Sequence, residues 1–224
     1  MGIIKKEYEI IENCSFLEFN QRRRICKKMD GIDALNYEKH LNLGWRRKKN
    51  VLYHYKCEEC AKCNLYKVNT FLFKPKRKHR RLLNKTNGHF LKTNSLNFTN
   101  EKYELYNKYM LAKHKKVVSE NDYIEYLTKY FVNGFELQLY IYDKLQAVAF
   151  IESLRNSVNL VYYMYKIDGL YSDLGNYMYL YMFSFAKQNN LQWAHLGHIS
   201  AEVPRLAYKG MYNPSYIYTN GLWV

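Results

Sequence analysis

Acid is scarce in this chain. Its 224 residues include 20 Asp and Glu against 35 Lys and Arg, a formal net charge of +15. Such a surplus points to a polyanionic partner, with nucleic acid the first candidate and a solvated basic surface the plainer alternative. Long apolar runs are also lacking. The longest, YMYLYMF at 177–183, is far short of the ~20 residues a spanning helix needs, so no membrane partner is expected. Residues 1–10, MGIIKKEYEI, lack an apolar segment and a small-residue cleavage site, so no export signal is expected and the cytoplasm is the expected location. Cysteine is sparse and odd in number, at five, which argues against a disulfide framework and for a thiolate site. No internal repeat and no low-complexity linker appear.

The remaining composition argues for a folded protein. Apolar residues make up 48% of the chain, enough for a core, and tyrosine is unusually common at 24. Tyr fills cores, lines pockets and stacks on bases, so its count alone does not choose among these roles.

The chemistry-bearing residues concentrate in 57–81, CEECAKCNLYKVNTFLFKPKRKHRR. Cys57, Cys60 and Cys63 recur every third residue, a good chelate on one loop. With Cys14 or Cys26 as a distant fourth donor they suit zinc or an iron–sulfur cluster. Reduced structural thiols fit the same spacing, and a second CxxC pair is missing. Lys74, Lys76, Arg77, Lys78, His79, Arg80 and Arg81 then form a cationic block suited to phosphate.

In chain order, residues 1–12 read as a short strand or arm, and 32–44 as a short helix with Asp33 early and Gly44 as its stop. Residues 45–57 read as one strand with a basic start, and 64–73 as a strand stopped by Pro75. The cationic block leads into a loop, and the Lys- and Asn-rich stretch 84–100 divides a region 1–99 from a region 100–224. Residues 100–116, with Asn100 as cap, and 120–131 read as helices. Three strands follow over 135–168, turning at Asp143–Lys144 and Arg155–Asn156. A helix over 171–190, a strand at LQWAHLG, a short helix at PRLAYKGM and a closing turn and strand complete the chain. This is a mixed α/β (α+β) order compatible with an acyl-transfer fold, in which the acyl donor binds where two strands splay and a helix begins. The helix start 172–177 carries Gly175, so its backbone N–H groups suit an anion.

The order of motifs resembles the aminoacyl-tRNA–protein transferases, the arginyltransferases and bacterial leucyltransferases of the N-degron pathway. Cys14-Ser-Phe-Leu17, Leu43-Gly-Trp-Arg46-Arg47, the Cys57–Cys63 triplet and Phe73-Lys-Pro75 through Arg81 carry the likeness in the first half. Tyr106, Tyr109 and Lys113-His114 continue it, as do Leu145–Ala149, Val161-Tyr162, Leu174-Gly175-Asn-Tyr177, Leu196-Gly-His198, Ala207-Tyr208-Lys209, Pro214, Gly221 and Trp223. The likeness spans nearly the whole chain in register. Departures cluster at the implied pocket: Lys76 and Lys78 replace serines, Gln138 a glutamate, Asp173 a serine, and Lys67 and Lys113 arginines, which loses the bidentate fork.

The resemblance implies a GNAT-like acyltransferase fold with a basic, cysteine-bearing N-terminal half. It implies transfer of arginine or leucine from aminoacyl-tRNA to the α-amine of a protein or peptide, with an acidic N-terminal residue as default, and no DNA partner. Aminolysis of an activated ester is downhill, so the reaction itself needs no cofactor; the work is positioning, deprotonation and oxyanion donation. His195, His198, Tyr208 and Lys209 are the implied catalytic candidates. A neutral His accepts the amine's proton and Lys209 meets an acidic group on the acceptor. His195 on a strand fits a packed histidine equally well. Leu174, Gly175, Tyr177, Gln138 and Tyr162 are implied to bind substrate, and Arg46, Arg47, Arg77, Arg80 and Arg81 to contact tRNA phosphates. Cys14, Cys57, Cys60 and Cys63 are the implied metal or cluster ligands. Two other readings compete. A coenzyme A-dependent N-acyltransferase wants a glycine-rich pyrophosphate loop, but SDLGNY has a single Gly. A non-catalytic, metal-stabilised RNA-binding module leaves the C-terminal motifs without a purpose.

Overall fold

A computed structural model describes residues 6–17, 20–57, 60, 62–84, 89–167 and 173–224, apart from the Arg205 side chain. The elements form a small and a large sheet, with strands and helices numbered in chain order. The small sheet runs β1 (Tyr8–Asn13), β2 (Gln21–Lys28), β4 (Val51–Tyr55), β3 (Arg46–Lys48), all antiparallel. Arg22 of β2 sits opposite Glu12 of β1, and Arg22 and Arg24 both reach Glu12, at 2.6 and 2.8 Å. Helix α1 (Ala34–Asn42) starts on the Asp33 carboxylate, which accepts from the Asn36 N–H at 2.8 Å.

The large sheet has eight strands: β12 (Leu222–Trp223), β11 (Ser215–Thr219), β5 (Asn64–Asn69), β10 (Trp193–Ile199), β9 (Ser157–Tyr165), β8 (Lys144–Ser153), β7 (Gly134–Ile141) and β6 (His89–Ser95). It takes strands from both sides of position 100. The central strand β8 is buried on both faces, so it reads as an unbroken apolar run instead of alternating. Ala147, Ala149 and Ile151 face α5 (Leu174–Gln188) in one core. Val148 and Phe150 face α3 (Asn100–His114) and α4 (Glu120–Leu127) in another. Short helix α6 (Pro204–Ala207) and a 3-10 turn (Tyr208–Met211) follow β10.

Several expectations change. Residues 45–57 are two strands, with Lys49 at φ 52 in the turn between them. The cationic block is a helix, α2 (Arg77–Leu83), which takes in Leu82 and Leu83 of the expected loop, and the dividing stretch 84–100 contains β6. Thr99, not Asn100, caps α3, its hydroxyl accepting from the Lys102 N–H. Residues 85–88 of the expected loop, Glu58, Glu59 and Ala61 of the cysteine stretch, and Ser172 of the helix start lie outside the described residues.

Strands β9 and β10 are the one parallel neighbour pair among the described strands, joined through α5 as a parallel pair requires. Their pairing covers Trp193↔Ser157, Ala194↔Val158 and His195↔Asn159 and then stops. Past that point β10 has one extra residue against β5, a bulge between His195 and Gly197. His195 stands opposite Lys67 and His198 opposite Leu65, so both histidines occupy one face of β10, the face toward the small sheet.

Candidate active site

The gap between β9 and β10 opens into a cavity of about 520 Å³. Its wall is aromatic: Tyr162, Tyr163 and Tyr165 from β9, Tyr109 from α3, Tyr53 from β4, Tyr179 from α5, Tyr208 and Phe16. Arg46, Lys113, His114, His198 and Lys209 add polarity, and among the described residues no carboxylate lines the cavity.

Where the strands part, their facing carbonyls lose partners, and two cations take them up. Arg46 donates from Nη1 to Asn159 Oδ1 and from Nη2 to the Leu160 carbonyl at 2.9 Å. Lys209 Nζ donates to the Leu196 carbonyl at 2.9 Å and the His198 carbonyl at 2.7 Å. An ammonium has three protons, so these bonds leave one position of Lys209 for proton exchange. Burial, and secondarily the Arg46 charge, pushes Lys209 down to about 7.

Tyr208 joins two other hydroxyls, Tyr163 at 2.7 Å and Tyr179 at 2.9 Å. Three hydroxyls joined by two hydrogen bonds retain one proton for a guest. Burial pushes Tyr208 up to about 12, so it stays a donor at neutral pH. His198 stacks on Tyr55 with ring centroids 4.3 Å apart. Burial, then Arg46, Lys209 and Arg22, hold its pKa well below 6.5. Gly175 permits close packing of Tyr163, whose ring carbon would lie 3.3 Å from a Cβ there.

The cavity therefore brings together Arg46, Tyr162, His198, Tyr208 and Lys209 among the candidates read from sequence. Others lie elsewhere. His195 is buried against Trp223, 5.7 Å between centroids, with Nε2 unpartnered. Gln138 donates to Glu136 at 2.6 Å, inside the network around the buried Lys102–Glu136 pair. Leu174 is core, and the Tyr177 hydroxyl meets that of Tyr181 at 2.7 Å. Arg47 is buried and pairs with Glu152 at 2.7 Å, so its charge is spent inside the protein, and Arg46 is likewise occupied. Both arginines are corrected from phosphate contacts to ties between the two sheets. Arg77, Arg80 and Arg81 remain exposed on α2, while His79 of the same block is buried 5.9 Å from Phe73 and 5.6 Å from Tyr212, anchoring the helix. Tyr53, Tyr163, Tyr165 and Tyr179 were missed. The density of tyrosine in YYMY on β9 was the available signal.

Burial holds His195 well below 6.5, followed by the charges of Arg46 and Lys67. Below the ordinary value the unfolded chain binds a proton that the folded chain refuses, so stability is present above 6.5 and falls as pH drops. His198 and His79 shift in the same direction. Thermal unfolding followed against pH is expected to show Tm falling on acidification through this range, with a shallower fall in His195→Phe.

Cys14, Cys57, Cys60 and Cys63 line a second cavity, of about 250 Å³, whose wall also contains His198 and Tyr55. Cys26, the alternative fourth thiol, is buried in β2 and is not among its lining residues. Burial pushes Cys63 up to about 11, with added contributions from Cys14, Cys60 and Cys57. Four thiols around one cavity match zinc or an iron–sulfur cluster in donor type. Among the described residues, however, no three ligating groups stand together closely enough to hold a metal ion.

A cavity with stacking rings, a spare hydroxyl proton and an amine titrating near neutrality is chemically suited to group transfer from a donor with an aromatic moiety. Comparison with known proteins makes the class specific. Residues 12–81 match the family model "Arginine-tRNA-protein transferase, N terminus", and residues 101–219 match "Arginine-tRNA-protein transferase, C terminus". The chain belongs to the arginine-tRNA–protein transferase family and is an aminoacyl-tRNA–protein transferase. Similar curated proteins include the aspartate/glutamate leucyltransferases of Shewanella putrefaciens, 27% identical over 94% of this chain and 91% of that protein, and Campylobacter jejuni, 29% identical over 94% and 84%. Among solved structures, L-PGS from Bacillus licheniformis is similar at 13% identity and a TM-score of 0.49, over 75% of this chain and 51% of that chain.

Proposed function

We propose that the protein transfers leucine from leucyl-tRNA to the α-amine of proteins whose N-terminal residue is Asp or Glu. The observation that carries this reading is the lining of the β9–β10 cavity, which among the described residues is tyrosines and cations without a carboxylate. An arginyl side chain there would meet Arg46, Lys113 and Lys209 with no acid to pair with, whereas a leucyl side chain needs only apolar contact. The terminal adenosine stacks on the tyrosine rings. An acidic acceptor side chain is drawn to Lys113 at the exposed rim of the same cavity.

In the reaction the acceptor ammonium first loses a proton. Lys209, with one position free and a pKa near neutrality, takes it. The free amine attacks the ester carbonyl. The spare proton of the Tyr208 cluster meets the developing oxyanion, the ester bond to the ribose breaks, and the proton shed by the attacking amine ends on the ribose oxygen as its hydroxyl. His198 is the neutral wall between this cavity and the cysteine cavity. No step needs ATP or another cofactor. A zinc ion or cluster held by Cys14, Cys57, Cys60 and Cys63 would supply a cross-link between the β1–β2 and β4–β5 connections, apart from the chemistry.

The fold is GNAT-like in this reading, with the acyl donor in the gap past the last β9–β10 pair. Residues 1–99 supply the cysteine loop and the basic helix, and residues 100–224 most of the donor cavity. The cytoplasm, where charged tRNA is made, is the working compartment.

Labelled leucyl-tRNA and arginyl-tRNA, each offered with peptides beginning Asp, Glu, Ala or Lys, test the reading. Leucine is expected on the Asp and Glu peptides. Absence of transfer from both tRNAs sinks it, and coenzyme A binding would favour the N-acyltransferase alternative. Arg77, Arg80 and Arg81 have no carboxylate within salt-bridge distance among the described residues. Each replaced by Ala is expected to weaken tRNA binding and reduce the salt slope by about one, measured by filter binding across salt. An unchanged slope removes that arginine from the tRNA interface.

A further inference from the structure

Arg46 leaves the small sheet on β3 and ends inside the large one. Its guanidinium stands at the fork. Asn159, which it bonds through Nη1, is the last β9 residue paired to β10, and Leu160, whose carbonyl it holds through Nη2, is the first beyond. On the β10 side it abuts the bulge. Gly197 has φ +78, and a Cβ there would lie 3.4 Å from Nη2. Glycine is favoured by that backbone conformation, and a Cβ there would be in contact with the guanidinium. Asn159 in turn donates to Glu152 at 2.7 Å and to the Tyr37 hydroxyl at 3.0 Å, so the far side of the contact is fixed as well.

We propose that Arg46 is a positioning residue for the transfer reaction: it wedges β9 from β10 and holds the bulge whose flanking carbonyls seat Lys209 beside the cavity. This rests on the transfer reading above. Lys209 shares the cavity lining with His198 on β10, Arg46 on β3, Tyr53 on β4, Tyr162 and Tyr163 on β9, and Lys113 and His114 on α3, with no carboxylate there among the described residues. Arg46 is the main charged contributor to the lowered Lys209 pKa, after burial. Its role is therefore both geometric and electrostatic.

The test uses the full chain with aminoacyl-tRNA and an acidic peptide. kcat and KM are measured against pH for wild type, Arg46→Lys and Arg46→Met, with thermal unfolding in parallel. Arg46→Lys keeps the charge but cannot span Asn159 and Leu160 with a rigid fork. It is expected to lose roughly 10–10²-fold in kcat with KM for the peptide little changed and the acid limb in place. Arg46→Met is expected to lose as much and to move the acid limb to higher pH, because Lys209 then holds its proton more strongly. Equal losses in both variants with unmoved acid limbs would reduce Arg46 to a packing residue and overturn the proposal. If Arg46→Met does not fold, Arg46→Lys decides alone, and a wild-type kcat there overturns it. If the wild type itself transfers nothing, the transfer reading fails before the wedge is at issue.

Discussion

Replacing Lys209 with methionine is expected to slow aminoacyl transfer by about 10²–10⁴-fold, the usual contribution of a positioned proton-transfer group. The chemistry requires an uncharged acceptor amine, and among the described residues no carboxylate lines the cavity to receive its proton. Lys209 donates to two carbonyls and keeps one position over. Its pKa is lowered from 10.5 to about 7, so below that pH the position holds a proton and above it a lone pair. The wild-type rate should therefore rise with pH through neutrality and level off. Lys209→Arg keeps a cation that does not titrate in this range and should not restore the rate. Circular dichroism and single-turnover kinetics over pH separate loss of the base from loss of the fold. A Lys209→Met enzyme within roughly tenfold of wild type, with its acid limb intact, would move the base elsewhere, with His198 the next group in the same wall.

Arg47→Met is expected to act on stability and leave tRNA affinity alone. The Arg47 and Glu152 side chains are 1% and 0% exposed, and removing one partner leaves the other charge buried and uncompensated. Such losses run to about 3–5 kcal/mol, or roughly 6–20 °C in Tm for a chain of this size. The folded fraction should bind tRNA with an unchanged salt slope. A second change, Glu152→Leu, removes the orphaned charge and should recover much of the stability. Unchanged Tm together with weakened tRNA binding would return Arg47 to the phosphate interface.

These arginines show where the sequence runs out. A basic pair after Trp45 looks the same whether it meets solvent, phosphate or a buried acid. What decides is Glu152 and Asn159, more than a hundred residues later and brought close by two sheets packing together. Local chemistry was legible: Asp33 capping α1, the turn at Asp143–Lys144 with Tyr142 and Asp143 at positive φ, and the Asn220–Gly221 turn before β12. Strand β6 was hidden because it is an edge strand, paired only to β7, with polar residues on its open side. The cationic block suggested no element of its own, because Pro75 stops the strand before it and apolar spacing is missing within it. Yet Pro75 sits just outside α2, and buried His79 gives the helix its anchor. In the site, Tyr208 and Lys209 were named from sequence and lie together. His195 was named for the same strand and shares the face of His198, but it is packed against Trp223 and is not among the residues lining the cavity. No periodicity argument could have placed the bulge between His195 and Gly197 that sets the face of His198.

The central claim is that the aminoacyl end of tRNA enters the tyrosine-lined gap between β9 and β10. Photocrosslinking with a tRNA carrying azidoadenosine at its 3′ end tests this most directly, with the labelled peptide read by mass spectrometry. Label on Tyr162, Tyr163, Tyr165 or Tyr208 is the expected result. Label confined to the cysteine cavity around Cys57–Cys63, or to the packed His195–Trp223 pair, would contradict it.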